Sequence, residues 1–159
     1  MPLDLDANAA AKLAGTARSI LEMKGNAVHS IEPSESVYAA VAKLSECKTG
    51  ALFVMAGSKL VGVISERDYA RKIILQGLSS KGTRVDEIMS SPVVYVEPST
   101  PLAECMRLVT ERHIRHLPVV DADRVVGVIS IGDLVRTIVF QQEQTIEQLN
   151  TLITDPYPG

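Results

Sequence analysis

The sequence predicts an α/β (α+β) protein built from two β-α-β-β-α repeats related by a pseudo-two-fold axis. Sliding the 159-residue chain on itself by 65 positions aligns residues 28–77 with 93–142 without a gap, and 16 of the 50 aligned pairs are identical. Each copy also runs through the same series of hydrophobic periods: a short apolar run, a helical stripe, two β-branched runs and a second helix. Two copies are too few for a solenoid, so the pair is expected to close on itself.

The elements follow in order. A tail is expected over residues 1–15; its start, MPLDLDANAAAKLAG, carries acids where a secretory leader carries basic residues, and no apolar run. The first repeat is expected over 16–77 and the second over 93–142. Each opens with a strand, 28–31 or 93–96, closed by Glu-Pro-Ser because proline lacks the ladder N–H. Ser34 and Ser99 are then the expected helix N-caps. Val37, Ala40, Val41 and Leu44 recur at helical spacing, as do Leu102, Cys105, Met106 and Val109, so each set forms one buried stripe. Cys105 reads there as a small core hydrophobe, and Cys47 lies off the stripe. Runs 51–55 and 60–64 in the first copy, and 117–120 and 125–129 in the second, flank turn-forming tetrapeptides and read as hairpins. Their near-continuous apolar character predicts sheets covered by helices. A second helix starts after Ser65 or Ser130. The linker, 78–92, carries one helical turn. Residues 143–159 are expected as a C-terminal helix and tail, with Ile146, Leu149 and Ile153 on one face that packs on the domain or a second subunit.

Composition excludes several classes. The net charge of −3, with no Trp and two Phe, argues against nucleic-acid binding. No run approaches the roughly 18 apolar residues of a membrane span. The two cysteines are far apart, which gives no zinc or disulfide spacing and points to a reduced, cytoplasmic setting. Three histidines, two of them in one basic loop, do not form a catalytic constellation, so no enzyme is expected.

The chemistry sits in a repeated motif, VGVISERD (61–68) and VGVISIGD (126–133). Ser followed three residues later by Asp is close to a capping box, and capping alone is one complete reading. The other adds a ligand. Gly132 inside a first helical turn is unfavourable unless something approaches the backbone closely. A bare phosphate would be repelled by the acid, whereas a sugar diol can donate two O–H hydrogen bonds to a carboxylate. Asp68 and Asp133 are therefore candidate ribose groups, in the way that dinucleotide folds use an acid. The phosphate candidates are Arg115 and His116, just before the strand that contains Pro118. Arg112 and His113 beside them also read as cations favouring a helix C-terminus. The first repeat has Gly50 and Ala51 at the positions of Arg115 and His116, with Arg67 as partial compensation. One phosphate clamp in the second half, beside Asp133, is the plain expectation. Lys24 reads equally as surface or pocket.

A tandem β-α-β-β-α repeat with Leu117-Pro118-Val119-Val120-Asp121 followed by Gly127-Val128-Ile129-Ser130 and Asp133 resembles the CBS domain, named after cystathionine β-synthase. The pair resembles a Bateman module over about residues 17–142, and its ends resemble those of bacterial stand-alone CBS-pair proteins. The resemblance implies a non-catalytic regulatory sensor that binds adenine ligands, AMP, ADP or ATP and in some members S-adenosylmethionine or NAD(H), in clefts between the repeats. It implies ribose contacts at Asp68 and Asp133, with Ser65 and Ser130 lining the same elements. It implies base contacts at Val28, Val94 and Pro118, with Ile64 and Ile131 packing near base or sugar, and phosphate contacts at Arg115 and His116. It also implies a homodimer through the repeat helices and a separate downstream protein partner. The alternative is a structural dimerisation module with vestigial pockets.

Overall fold

The computed structural model describes residues 13–154; residues 1–12 of the expected tail, and 155–159, lie outside it. The described elements are α1 (Ala17–Lys24), β1 (Ser30–Ile31), α2 (Val37–Cys47), β2 (Ala51–Ala56), β3 (Lys59–Ser65), α3 (Glu66–Asp68) running on in π-helical geometry over Tyr69–Ile74, α4 (Val85–Ile88), α5 (Leu102–Glu111), β4 (His116–Asp121), β5 (Arg124–Ser130) and α6 (Ile131–Thr154). The α+β class and the repeat are as the sequence predicts.

Both hairpins form in the expected places, β2 against β3 and β4 against β5, each antiparallel. The duplication extends to an irregularity, since the register shifts between Val54 and Met55 in one hairpin and between Val119 and Val120 in the other. The second hairpin turns through Ala122 and Asp123, both with positive φ, the conformation that matches the natural twist of the strands.

Two expectations fail for a physical reason. The helix caps fall two residues later than Ser34 and Ser99, on Ser36 and Pro101. Pro33-Ser34 and Pro98-Ser99 are instead the centres of tight turns, closed by Glu35 N–H on the Glu32 carbonyl (3.2 Å) and Thr100 N–H on the Glu97 carbonyl (3.0 Å). Proline favours that turn position, and Ser36 Oγ then accepts from Ala39 N–H at 3.1 Å. The opening strands are also shorter than expected. Strand 28–31 shrinks to β1, parallel to β2, and 93–96 shrinks to a single bridge between Val96 and Val119. In the first copy, Phe53 N–H donates to the His29 carbonyl (3.0 Å). Its counterpart in the second copy is Pro118, which has no N–H, so the Val94 carbonyl loses that ladder donor and the strand fails to extend.

The two cores exchange helices. One gathers Ile31, Val37, Ala40, Leu44, Leu52, Val54, Ile64 and Ile73 of the first repeat with Val85 and Ile88 of α4. The other gathers Val96, Leu102, Cys105, Val109, Leu117, Val119, Ile129 and Leu134 with Leu13, Ala17, Ile20 and Leu21 of the α1 region. The short helix that precedes the opening strand of each copy thus completes the core of the other. Gly127 on β5 is what lets α1 approach: a Cβ there would lie 2.5 Å from Leu21 Cδ2. Gly62 on β3 serves Met89 in the same way. Cys105 is buried in the second core, and burial, aided by Glu104, pushes its thiol up to about 11, as suits a core residue.

Helix α6 spans 24 residues, roughly 36 Å. Its start seats Leu134 and Ile138 on the second core. Beyond that, Ile146, Leu149 and Ile153 are 53–75% exposed, so the stripe does not pack on its own domain. Among the described residues no helix is long and apolar enough to cross a membrane.

Candidate functional site

Each S-x-x-D element forms the capping box that its sequence predicts. Ser65 N–H donates to Asp68 Oδ2 (2.9 Å), and Asp68 N–H donates back to Ser65 Oγ (3.2 Å). Ser130 and Asp133 do the same at 2.8 and 3.1 Å. The caps bury both acids, to 9% and 7% exposure, at the start of α3 and α6.

The remaining partners of the two carboxylates differ. Asp68 also accepts from the Ser65 hydroxyl (3.0 Å) and, on Oδ1, from the Ser90 hydroxyl (3.1 Å), with Lys72 Nζ at 3.3 Å. Asp133 is held by two cations: Lys24 Nζ at 2.7 Å on Oδ2 and Arg136 at 2.6 Å on Oδ1. Burial alone would raise the Asp133 carboxyl, but the hydrogen bonds from Lys24 and Ser130 outweigh it and hold its pKa below the ordinary value.

A cleft of about 840 Å³ opens between the repeats. From the first repeat it is lined by Gly50, Ala51, Val63 and the segment Ser65, Glu66, Arg67, Asp68, Arg71 and Lys72. Ser90, Pro92, Val93 and Val94 come from the linker and the irregular segment that leads to Val96. The far wall is the loop between α5 and β4, from Arg112 to His116. That loop can cross the cleft because His113 takes a left-handed conformation (φ 52°) just after the helix ends, and Ile114 N–H caps back to the Val109 carbonyl (3.2 Å).

The sequence alone pairs Arg115 and His116 with Asp133 of their own repeat; in the structure Ile131 N–H does donate to the Arg115 carbonyl (2.9 Å) and His116 feels the Asp133 charge, but the cleft that both residues line carries Ser65, Arg67 and Asp68 of the other repeat. The two hairpins are neighbours about the pseudo-axis: a Cβ on Gly50 would lie 3.7 Å from His116 Cε1, an ordinary contact distance. Glu66-Arg67 borders the basic cleft, and Ile131-Gly132 does not line it. A Cβ on Gly132 would meet Arg136 Nη1 at 3.3 Å, so the neighbour that comes close to this glycine is the guanidinium held on Asp133.

Six expected residues, Ser65, Arg67, Asp68, Val94, Arg115 and His116, line the cleft. Lys24, Val28, Ile64, Pro118, Ser130, Ile131, Gly132 and Asp133 do not. Ile64 and Pro118 are packed inside the fold. Arg71 and Lys72, which sequence reasoning passed over, lie three and four positions beyond Asp68, a spacing that puts them on its helical face. Ser90 and Pro92 carry no such signal.

The cleft is basic in an acidic protein. Arg67, Arg71, Lys72, Arg112 and Arg115 face two acids, Glu66 and Asp68. Burial depresses the His116 pKa, Lys24 and Arg115 lower it further, and Asp133 and Glu66 oppose them. The walls thus combine a buried carboxylate dressed mainly by hydroxyls, an aliphatic side at Val93 and Val94, and a cluster of guanidinium groups. Such a set can hold an ligand that is part diol, part apolar ring and part anion.

The sequence profile of the CBS domain matches residues 18–75 and 85–140. The mitochondrial CBS domain-containing protein CBSX3 of Arabidopsis thaliana is 40% identical over 128 residues, 77% of this chain and 62% of that protein, so the match spans less than two thirds of that relative. A solved structure of a protein with CBS domains from Burkholderia ambifaria is 46% identical, with a TM-score of 0.77 over 80% of this chain and 96% of that one. A hexameric CBS-CP12 protein from bloom-forming cyanobacteria superposes with a TM-score of 0.69 at 29% identity, over 78% of this chain and 72% of that one. The chain belongs to the CBS domain family and carries two tandem copies of that domain.

Proposed function

We propose that this CBS pair is a non-catalytic regulatory module that binds an adenine nucleotide, AMP, ADP or ATP or the adenylate half of NAD(H), in the basic cleft between its repeats. The observation that carries the reading is the meeting of Asp68 with the Arg112–His116 loop across one cavity. Its volume, about 840 Å³, is within the roughly 300–1,000 Å³ of small-molecule sites. The ribose diol exchanges with the Ser65 and Ser90 hydroxyls on Asp68. The phosphates run toward Arg112 and Arg115. The base lies against Val93 and Val94, and its exocyclic amine donates to the Val94 carbonyl, the acceptor that Pro118 leaves without a ladder donor. Bound across both repeats, the nucleotide favours the conformers in which they are drawn together, and a separate protein reads that shift.

Thermal melting with AMP, ATP and NADH tests the reading. A ligand at one hundred times its Kd stabilises by about 2.7 kcal/mol, a rise of roughly 5–10 °C for a chain of this size. No rise with any of the three at millimolar concentration refutes it and leaves a dimerisation module with vestigial pockets.

Self-association has its own support. Along α6, Val135, Val139, Gln142, Ile146, Leu149 and Ile153 are spaced 4, 3, 4, 3, 4, the a/d pattern of a coiled-coil seam, and all six are exposed. A second copy with the same phase covers this face in a homodimer. In parallel register Gln142 meets its own copy, amide to amide.

A further inference from the structure

The 65-residue repeat gives the cleft walls counterparts across the pseudo-axis, with Asp133 for Asp68 and His29 for Val94. On that second side the chain itself occupies the groups a nucleotide would use. Lys24 Nζ donates to Asp133 Oδ2 (2.7 Å) and to the Val128 carbonyl (3.0 Å). The His29 carbonyl, which corresponds to the Val94 carbonyl, already accepts from Phe53 N–H (3.0 Å). The counterparts of Arg112, His113, Arg115 and His116 are Cys47, Lys48, Gly50 and Ala51, so of the cleft's guanidinium groups only Arg71 has an equivalent, Arg136, which is itself paired with Asp133 Oδ1 (2.6 Å). Lys24 is held in place by packing. It is the last residue of α1, and α1 is seated on β5 by Leu21 over Gly127.

We propose that Lys24 is an internal occupant of this second position, standing where a ribose would stand, so that each chain takes one nucleotide rather than two. The inference rests on the nucleotide reading of the first cleft. The ammonium reaches the carboxylate oxygen that a diol would need, and it brings a full charge to a group only 7% exposed. A neutral hydroxyl replacing it would keep a hydrogen bond to the carboxylate but lose the attraction between two full charges. On the Asp68 side no such exchange arises at 2.7 Å, because the close partners are the hydroxyls of Ser65 and Ser90.

Isothermal titration with ATP, on the full chain, tests this. The wild-type protein is expected to bind one ATP per chain. Lys24→Met, which keeps the aliphatic stem and removes the charge, is expected to bind two, the second more weakly. Adding Asp133→Ala to Lys24→Met returns the count to one. Should Lys24→Met lower the melting temperature enough to confuse the titration, Lys24→Ala provides a second comparison. Two ATP per wild-type chain, or one per chain in both Lys24 variants, overturns the assignment of Lys24. No binding by any of these proteins fails at the earlier step and removes the nucleotide reading as well.

Discussion

Replacing Gly127 by Ala is the sharpest test of the exchanged helices. A Cβ at that position would lie 2.5 Å from Leu21 Cδ2, 2.9 Å from Cδ1 and 3.2 Å from Cγ. Carbon atoms in contact sit about 3.5–4.0 Å apart, so the overlap is about 1 Å and involves three atoms of one branched end. Leu21 is 6% exposed in the second core, so its side chain must turn against packed neighbours or α1 must lift from β5. Overpacking of this kind costs about 1–3 kcal/mol, and at about 2–4 °C per kcal/mol the melting temperature falls by roughly 2–12 °C. Leu21→Ala alone leaves a cavity and costs about 2–5 kcal/mol. In the double variant the new methyl enters the space that Leu21 vacates, so the two effects are expected to fall short of their sum by about 1 kcal/mol or more. Urea unfolding followed by circular dichroism measures all three variants. If Gly127→Ala unfolds within about 0.5 kcal/mol of wild type, or if the double variant is additive, α1 does not pack on the second repeat as described.

Three other outcomes are expected. Arg115→Ala should weaken ATP binding by roughly tenfold or more, the size of a lost charge-assisted hydrogen bond, and leave adenosine binding almost unchanged; titration calorimetry with both ligands checks it, and an equal loss for adenosine would move the phosphate site elsewhere. Burial depresses the His116 pKa, so the unfolded chain takes up a proton first as the pH falls, and stability present above about 6.5 declines as the pH drops through the folded value. A bound anion favours the protonated imidazole, so ATP affinity should rise over the same interval, and this pH dependence should shrink in His116→Gln. The proposed α6 seam predicts a wild-type dimer in sedimentation and a monomer for Leu149→Glu, with the melting of the repeats nearly unchanged, since Leu149 is 53% exposed in the single chain; a wild-type monomer removes the seam.

Much of this fold was legible because the sequence is written twice. The two hairpins, the helical stripes and the capping boxes follow from period and spacing, and they appear at the expected residues. What could not be read was which half faces which. Arg115 and Asp133 lie close in sequence and were the natural pair, but the back-to-back hairpins place Arg115 with Asp68. The exchange of α1 and α4 was hidden for the same reason, because Ile20-Leu21 and Ile88-Met89 look alike without saying which core they join. Pro118 held a signal that could have been used. Its missing N–H, set against Phe53 in the other copy, shortens the strand and frees the Val94 carbonyl. Lys24 read equally as surface or pocket, and its partner Asp133, 109 residues away, was not legible.

The position of a bound nucleotide decides between the two halves of the pair. A crystal structure of the protein grown with ATP settles this directly. The ribose hydroxyls are expected on Asp68, the phosphates against Arg112 and Arg115, and the base beside Val94. ATP seated on Asp133 with Lys24 displaced, or held outside the cleft between the repeats, would contradict it.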